Sequence, residues 1–218
     1  MSVREAAKTK RRETILAAAR ALIAENGGTN FAMQTLAERA GLSLATPYNL
    51  IGTKQDLLLL LFETDSNEFV RELDFSSETS FIEKFRRVVE HTARRFIVRE
   101  AYLRPLYESI LEPSNDELRQ LFHKPRAQFW TSILEDATAA DGITAGLNPR
   151  LLSSVFDDLL RSVINRWIWR NIANNAIEPE LGFRVFSFLL GITTPAYHDV
   201  IATHQMAYHQ QVMASRAR

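Results

Sequence analysis

Leu36-Ala37-Glu38-Arg39-Ala40-Gly41-Leu42-Ser43 is the stretch on which the fold turns. Met33, Leu36, Ala37 and Ala40 recur at helical spacing, and the small Ala37 lets a second helix cross closely. Gly41 accepts the left-handed conformation that closes a helix, with Leu42 placed for the apolar contact of such a cap. Ser43 offers an oxygen to N-cap a following helix of about two turns, reaching about Leu50. Two short helices joined by so tight a turn form a helix-turn-helix, a pattern shared by DNA readers and by ordinary packed helix pairs.

Upstream, Ile15, Ala18, Ala19, Leu22 and Ile23 share one face of a helix expected from about Lys10 to Glu25, which Asn26-Gly27-Gly28 then stops. Downstream, Thr53 is the expected N-cap of a fourth helix, with Asp56 at the third helical position as a short-armed capping box. Its next residues, Leu57 to Phe62, are apolar on every side. Such a helix has to be buried all round. It is therefore expected to link an N-terminal domain (residues 1–55) to the remainder (residues 56–218) and to serve as a lever.

The remainder also reads as helix. One helix is expected from about Phe81 to Arg99 and a shorter one from Leu103 to Leu111, stopped by Glu112-Pro113. Ser114 with Glu117 is a capping-box signature for a long helix that Pro125 should kink or break. Asp141 to Asn148 reads as a loop. Asn148-Pro149 opens a helix to about Asn171, and Glu178-Pro179 opens a last one, bent near Pro195 and running towards Ala214. With no alternating strand pattern, the fold class is all-α: a three-helix N-terminal domain with the helix-turn-helix, followed by a larger helical domain.

At 218 residues, 46% apolar and 24% charged, the chain has the composition of a globular protein able to bury a sizeable core. It has no cysteine, which excludes disulfides, thiolate metal sites, cysteine nucleophiles and thiol redox sensing. Met1-Ser2-Val3-Arg4-Glu5 lacks the apolar segment of a signal peptide, and the longest apolar run, Leu57 to Phe62, is far too short for a membrane span. The expectation is a cytoplasmic protein with no membrane partner. Net charge is zero, but residues 1–56 carry Arg4, Lys8, Lys10, Arg11, Arg12, Arg20, Arg39 and Lys54 against Glu5, Glu13, Glu25, Glu38 and Asp56. That local excess suits either a solvated tail or contact with nucleic acid.

Catalysis is not expected. Gly52-Thr53-Lys54 looks like the end of a phosphate loop but lacks the preceding glycine. His204 and His209 are poorly spaced for a metal on one helix, and no glutamate-containing zinc motif accompanies them. There is no Gly-x-Ser-x-Gly nucleophile turn. No cofactor and no metal are expected.

In order and spacing, residues 11–60 resemble the TetR family of transcriptional regulators. The matching features are Arg11-Arg12 at the start of the first helix, Ile15-Leu16-Ala17-Ala18-Ala19 within it, Leu36-Ala37, Ala40-Gly41-Leu42-Ser43, Thr46, Tyr48 and Lys54-Gln55-Asp56-Leu57. The resemblance implies a homodimeric repressor, released from a palindromic DNA operator by a small, largely apolar effector. It further implies that the helix from Ser43 to about Leu50 lies in the major groove, with Leu44, Ala45, Thr46 and Asn49 facing base edges. Tyr48, Lys54, Gln34 and Thr35 match positions that hold phosphates. A lysine in the first turn of its helix suits that role, because ammonium and free backbone N–H groups can address one phosphate together. Tyr48 reads alternatively as a core aromatic with an exposed hydroxyl.

Several residues depart from the family pattern, which usually has glycine at Ala45, leucine at Pro47 and aromatic residues at Leu50 and Ile51. Pro47 falls either fourth after a Ser43 cap, losing a hydrogen bond, or first after a Thr46 cap, which proline favours. A shortened or irregular recognition helix is expected. That helix also holds no arginine or lysine, so the commonest guanine contact is missing. Asn49 to adenine and contacts of Leu44, Ala45 or Thr46 with thymine methyls would carry the reading, with Arg39 or the N-terminal cations supplying the rest.

Beyond residue 60 the resemblance rests on length and helical character. It implies a ligand pocket among the middle helices, and pairing of the helices that open at Pro149 and Pro179 with their copies in a four-helix bundle. Candidate lining residues are Phe85, Tyr102, Tyr107, Phe122, Phe129, Trp130, Phe156 and Trp167, with Arg104, His123, Arg161 or Asn165 as polar anchors. Each reads alternatively as a core, interface or ion-pair residue. The competing reading of the whole chain is a helical ligand-binding or protein-interaction module that binds no operator.

Overall fold

Ser2 and Glu5 exchange backbone-to-side-chain hydrogen bonds of 3.2 Å each way, a capping box. Helix α1 (Val3–Asn26) therefore begins at Val3, not near Lys10, and the cations from Lys8 to Arg12 lie on a helix and not on a tail. Hydrophobic periodicity misses this extension because none of residues 3–14 is buried. The structure, a computed structural model, describes residues 2–73, 75, 80–112 and 124–216, with the side chains of 124–128 left out. Ser114, Glu117, Phe122 and His123 lie outside the described residues.

Helix α2 (Met33–Arg39) ends as its pattern requires. Gly41 has φ +66°, the Leu42 N–H donates to the Ala37 carbonyl at 2.9 Å, and the Gly41 N–H donates to the Glu38 carbonyl at 3.1 Å. These are the paired bonds of a Schellman cap. Helix α3 (Ala45–Leu50) follows with six residues. Ser43 does not cap it: its hydroxyl meets that of Thr46 at 2.8 Å, and Leu44 holds the cap position without a side-chain bond. Pro47 falls third in the helix, in neither expected place. There its missing N–H belongs to the first turn, so no intrahelical bond is lost, and its ring is buried.

Helix α4 (Lys54–Glu72) opens on the expected box. The Asp56 N–H donates to Thr53 Oγ1 at 3.2 Å, and the Asp56 carboxylate accepts from the Thr53 N–H and hydroxyl at 2.7 Å each. Gly52 is needed just before it, since its φ is +115° and a Cβ there would stand 2.5 Å from an Asp56 carboxylate oxygen. Leu57, Leu58, Leu61 and Phe62 are buried, but Leu59 and Leu60 are half-buried, so the helix is not covered on every side.

The chain forms two compact units, one from Met1–Glu68 and Arg99–Phe122, the other from Phe69–Val98 and His123–Arg218. In the first, α1 to α4 are joined by α6 (Glu100–Leu111) around Ile15, Ile23, Leu36, Leu57, Leu61, Leu103 and Leu106. Buried Asp65 of α4 accepts from Arg20 of α1 at 2.8 Å and from the Tyr102 hydroxyl of α6. Burial, then the neighbouring carboxylate, holds the Tyr102 phenol well above its usual range. One buried acidic group thus ties three helices together.

The second unit holds α5 (Phe81–Val98), α7 (Lys124–Ala139), α8 (Pro149–Ile168), α9 (Ile177–Ile192) and α10 (His198–Arg216). Pro125 is the second residue of α7 as described, and the stretch from Ser114 that it is expected to kink or break lies outside the described residues. Asn148 caps α8, accepting from the Arg150 and Leu151 N–H groups at 2.9 and 3.3 Å. The expected single bent helix after Pro179 is two helices. Thr193 and Thr194 are extended, with ψ of 158° and 154°, as the residue before Pro195 must be. The chain then folds back, with the Phe186 and Tyr208 rings 5.6 Å apart. Gly182 admits the Tyr208 ring where a Cβ would meet it at 2.5 Å. Buried Glu180 closes the hairpin, receiving Arg166 and Arg216 at 2.8 Å each and Arg184 as well. Its three arginines outweigh burial and hold its pKa at about 2. Among the described residues no helix is long and apolar enough to cross a membrane.

Candidate nucleic-acid interface

Six residues make less than two turns, and α3 spends its inner side on Pro47 and half-buried Leu50. Its outer side presents Ala45, Tyr48 and Asn49, all exposed, with exposed Ser43 and Leu44 just before them and half-buried Thr46 beside them. Tyr48 is 51% exposed, so it is no core aromatic in this chain. Gln34 and Thr35 are exposed in the first turn of α2, and Gln34 donates to Glu38 at 3.0 Å. The result is a face of amide, hydroxyl and small apolar groups without a formal charge. Such a face can exchange hydrogen bonds with base edges but supplies no counterion to phosphate.

Lys54 is in the first turn of α4, as expected, and its Nζ stands 4.9 Å above the centroid of the buried Phe31 ring. Partial burial lowers its pKa from the usual lysine value. The aromatic ring holds the ammonium of this first-turn lysine over its face. Sequence reading missed Phe31 because nothing local links position 31 to position 54.

Arg39 pairs with Glu25 of α1 and so holds two helices of the domain together. Arg12 was hidden among the N-terminal cations. Its Nε and Nη2 both donate to the Leu50 carbonyl, at 3.0 and 2.8 Å. A guanidinium thus closes the C-terminal end of α3, where the helix dipole favours a cation.

The pocket candidates separate into three groups. Phe85, Trp130 and Phe156 stack in the second unit, with centroids 4.6 to 6.0 Å apart, and Phe129 meets Trp130 edge-on at 5.3 Å. Trp167 lies against Phe96 and donates to Asn174 at 2.7 Å. Tyr102 and Tyr107 belong to the first unit, where Tyr102 serves Asp65 and Tyr107 meets Phe62 at 5.9 Å. Of the anchors, Arg104 pairs with Glu100 at 2.8 Å and Arg161 with Asp157 at 3.0 Å. Asn165 Oδ1 is buried without a hydrogen-bond partner among the described residues, as are Trp130 Nε1 and Thr92 Oγ1.

Helix α2 closed by a Schellman turn, α3 with its exposed outer side after it and a lysine in the first turn of α4 form a helix-turn-helix, the arrangement found in many DNA readers. Residues 15–61 match the family model of bacterial regulatory proteins, tetR family. No curated protein matches it by sequence. Its fold is similar to that of the fatty acid degradation regulator FadR from Bacillus halodurans, at 22% identity over 83% of this chain and 95% of that one, with a TM-score of 0.67. It is similar to FadR from Bacillus subtilis in complex with stearoyl-CoA, at 23% identity over 78% and 96%, with a TM-score of 0.64. It is also similar to NalD, the secondary repressor of the MexAB-OprM multidrug efflux pump in Pseudomonas aeruginosa, at 16% identity over 86% and 99%, with a TM-score of 0.61.

Proposed function

We propose that this chain is a cytoplasmic homodimeric repressor that leaves a palindromic operator when a small, largely apolar effector binds. The observation that carries the reading is the exposed Ala45, Tyr48 and Asn49 face on a helix built to stand out from its domain. In this reading residues 1–55 are the DNA-binding domain and residues 56–218 the ligand-binding and dimerisation domain. Ser43, Leu44, Ala45, Thr46 and Asn49 meet base edges, while Gln34, Thr35, Tyr48 and Lys54 meet phosphates.

The stacked Phe85, Trp130 and Phe156 favour an apolar or aromatic effector. The unpaired Trp130 Nε1 and Thr92 Oγ1 supply the few polar groups that orient one. Stearoyl-CoA bound to the similar FadR makes long-chain acyl groups the first class to try. Exposed Val200, Thr203, Met206, Ala207, Gln210, Met213 and Ala214 give α10 an uncharged outer face, which supports pairing with a second copy. Effector binding must favour a conformation with lower operator affinity, since equal affinity for both states shifts nothing.

The test is selection of bound DNA from a random pool, followed by titration of the selected sequence with and without stearoyl-CoA and shorter acyl chains. The expected outcome is a palindromic sequence and weaker binding with one of the ligands. Enrichment of no sequence overturns the operator reading. A ligand that saturates the protein without changing operator affinity is not the effector.

A further inference from the structure

Arg12 spends two of its five N–H donors on one backbone carbonyl, that of Leu50, yet its side chain remains exposed. No carboxylate pairs with it among the described residues. Its position on α1 is not arbitrary. The stripe that buries Ile15, Ala18, Ala19 and Leu22 continues towards the N-terminus as Arg12, Arg11, Lys8 and Arg4, all exposed. From Arg12 back to Arg4 this cationic edge extends for about 12 Å at 1.5 Å per residue. Arg12 is thus the junction at which a basic helix edge meets the end of the helix that presents Tyr48 and Asn49.

The helix it clasps is weakly held by its own sequence. Helix α3 has no side-chain N-cap, a proline in its first turn and only six residues. Two N–H bonds from one planar fork onto the Leu50 carbonyl fix the far end of α3 in both position and direction. The remaining N–H groups of the same fork stay available to solvent or to a phosphate oxygen.

We propose that Arg12 is the positioning residue for sequence readout: it locks the angle of α3 through Leu50 and takes a DNA phosphate with its free N–H groups, so that backbone contact and base reading become one event. This rests on the DNA-binding reading above. A phosphate contact alone would serve all sequences equally, whereas setting the angle of α3 changes which bases Asn49 reaches.

The experiment compares wild type, Arg12→Gln, Arg12→Lys and Lys8→Gln on the pool-selected sequence and on random DNA, over a range of salt. Arg12→Gln is expected to lower the ratio of selected to random affinity about tenfold or more, the scale of one lost base contact, and to flatten the salt dependence by about one phosphate. Arg12→Lys keeps the charge but not the fork, so it should restore the salt slope and leave the ratio low. Lys8→Gln should weaken both DNAs alike. Thermal unfolding of each variant shows whether the domain remains folded, and the lysine variant keeps the ratio measurable if the glutamine variant unfolds. An unchanged ratio in both Arg12 variants overturns the proposal. Failure of wild type to select any sequence overturns instead the reading on which it rests.

Discussion

Replacing Glu180 by glutamine removes the charge that three arginines share while keeping the side chain's size. The wild-type carboxyl has a pKa of about 2 against an ordinary 4.5, which by linkage corresponds to at most about 3 kcal/mol of stability at neutral pH. Arg216 is 61% exposed and Arg166 36% exposed, so solvent screens part of that attraction, and about 1.5 to 2 kcal/mol is the figure to expect. Part of the loss is the arginines left facing one another around a neutral amide. For a chain of this length that corresponds to a fall in Tm of roughly 3–8 °C. Because the folded pKa is depressed, the contribution is fully present above pH 4.5 and fades as pH falls towards 2. Thermal unfolding of both proteins, followed by far-ultraviolet circular dichroism from pH 7 to pH 3, should therefore show a difference that narrows with acid. A gap that stays constant across that range, or a Tm difference below about 1 °C at pH 7, refutes the argument that Glu180 closes the α9–α10 hairpin electrostatically.

Asn49→Ala should relax preference at one position of each half-site at a cost of about 1–3 kcal/mol there, and equal losses on operator and random DNA would contradict it. Lys54→Ala should weaken binding to every sequence and flatten the salt dependence by about one phosphate; an unchanged slope removes Lys54 from the phosphate contacts. Gly41→Ala places a Cβ at φ +66° and should destabilise the fold by about 1–2 kcal/mol, read as a lower midpoint in urea. Asp65→Asn leaves Arg20 without its buried partner and should cost about 2–4 kcal/mol in the same assay, the loss expected for a partly exposed arginine and a buried carboxylate. Stability within about 0.5 kcal/mol of wild type would show the pair to be neutral.

The helix-turn-helix was legible because its determinants are local. The Gly41 and Leu42 cap bonds reach back only to Glu38 and Ala37, and the Thr53–Asp56 box closes within one turn. What escaped was either charged or distant. The start of α1 at Val3 has no buried face, and its box uses Ser2 and Glu5, outside any apolar pattern. Lys54 over Phe31, Arg12 on Leu50 and Asp65 between Arg20 and Tyr102 join residues from different helices, which spacing along the chain cannot reveal. The aromatic list mixed residues of both units for the same reason. Tyr102 and Phe85 read alike as aromatics on helices, yet one ends on a carboxylate of the first unit and the other in a stack of the second. Pro195 was read as a bend because the extended Thr193 and Thr194 before it offer no composition signal beyond the proline itself.

The absence of a formal charge from the exposed side of α3 puts salt-dependent contacts and base contacts on different helices, with Arg12 as the link between them. Counterions leave DNA when cations approach its phosphates, and in the proposed reading those cations stand on α1 and α4. Ionic strength should consequently govern how much of the protein population resides on the chromosome at all, while the ranking of one site above another stays nearly constant from dilute to concentrated salt. A regulator so built would keep its choice of genes through osmotic stress and change only its occupancy.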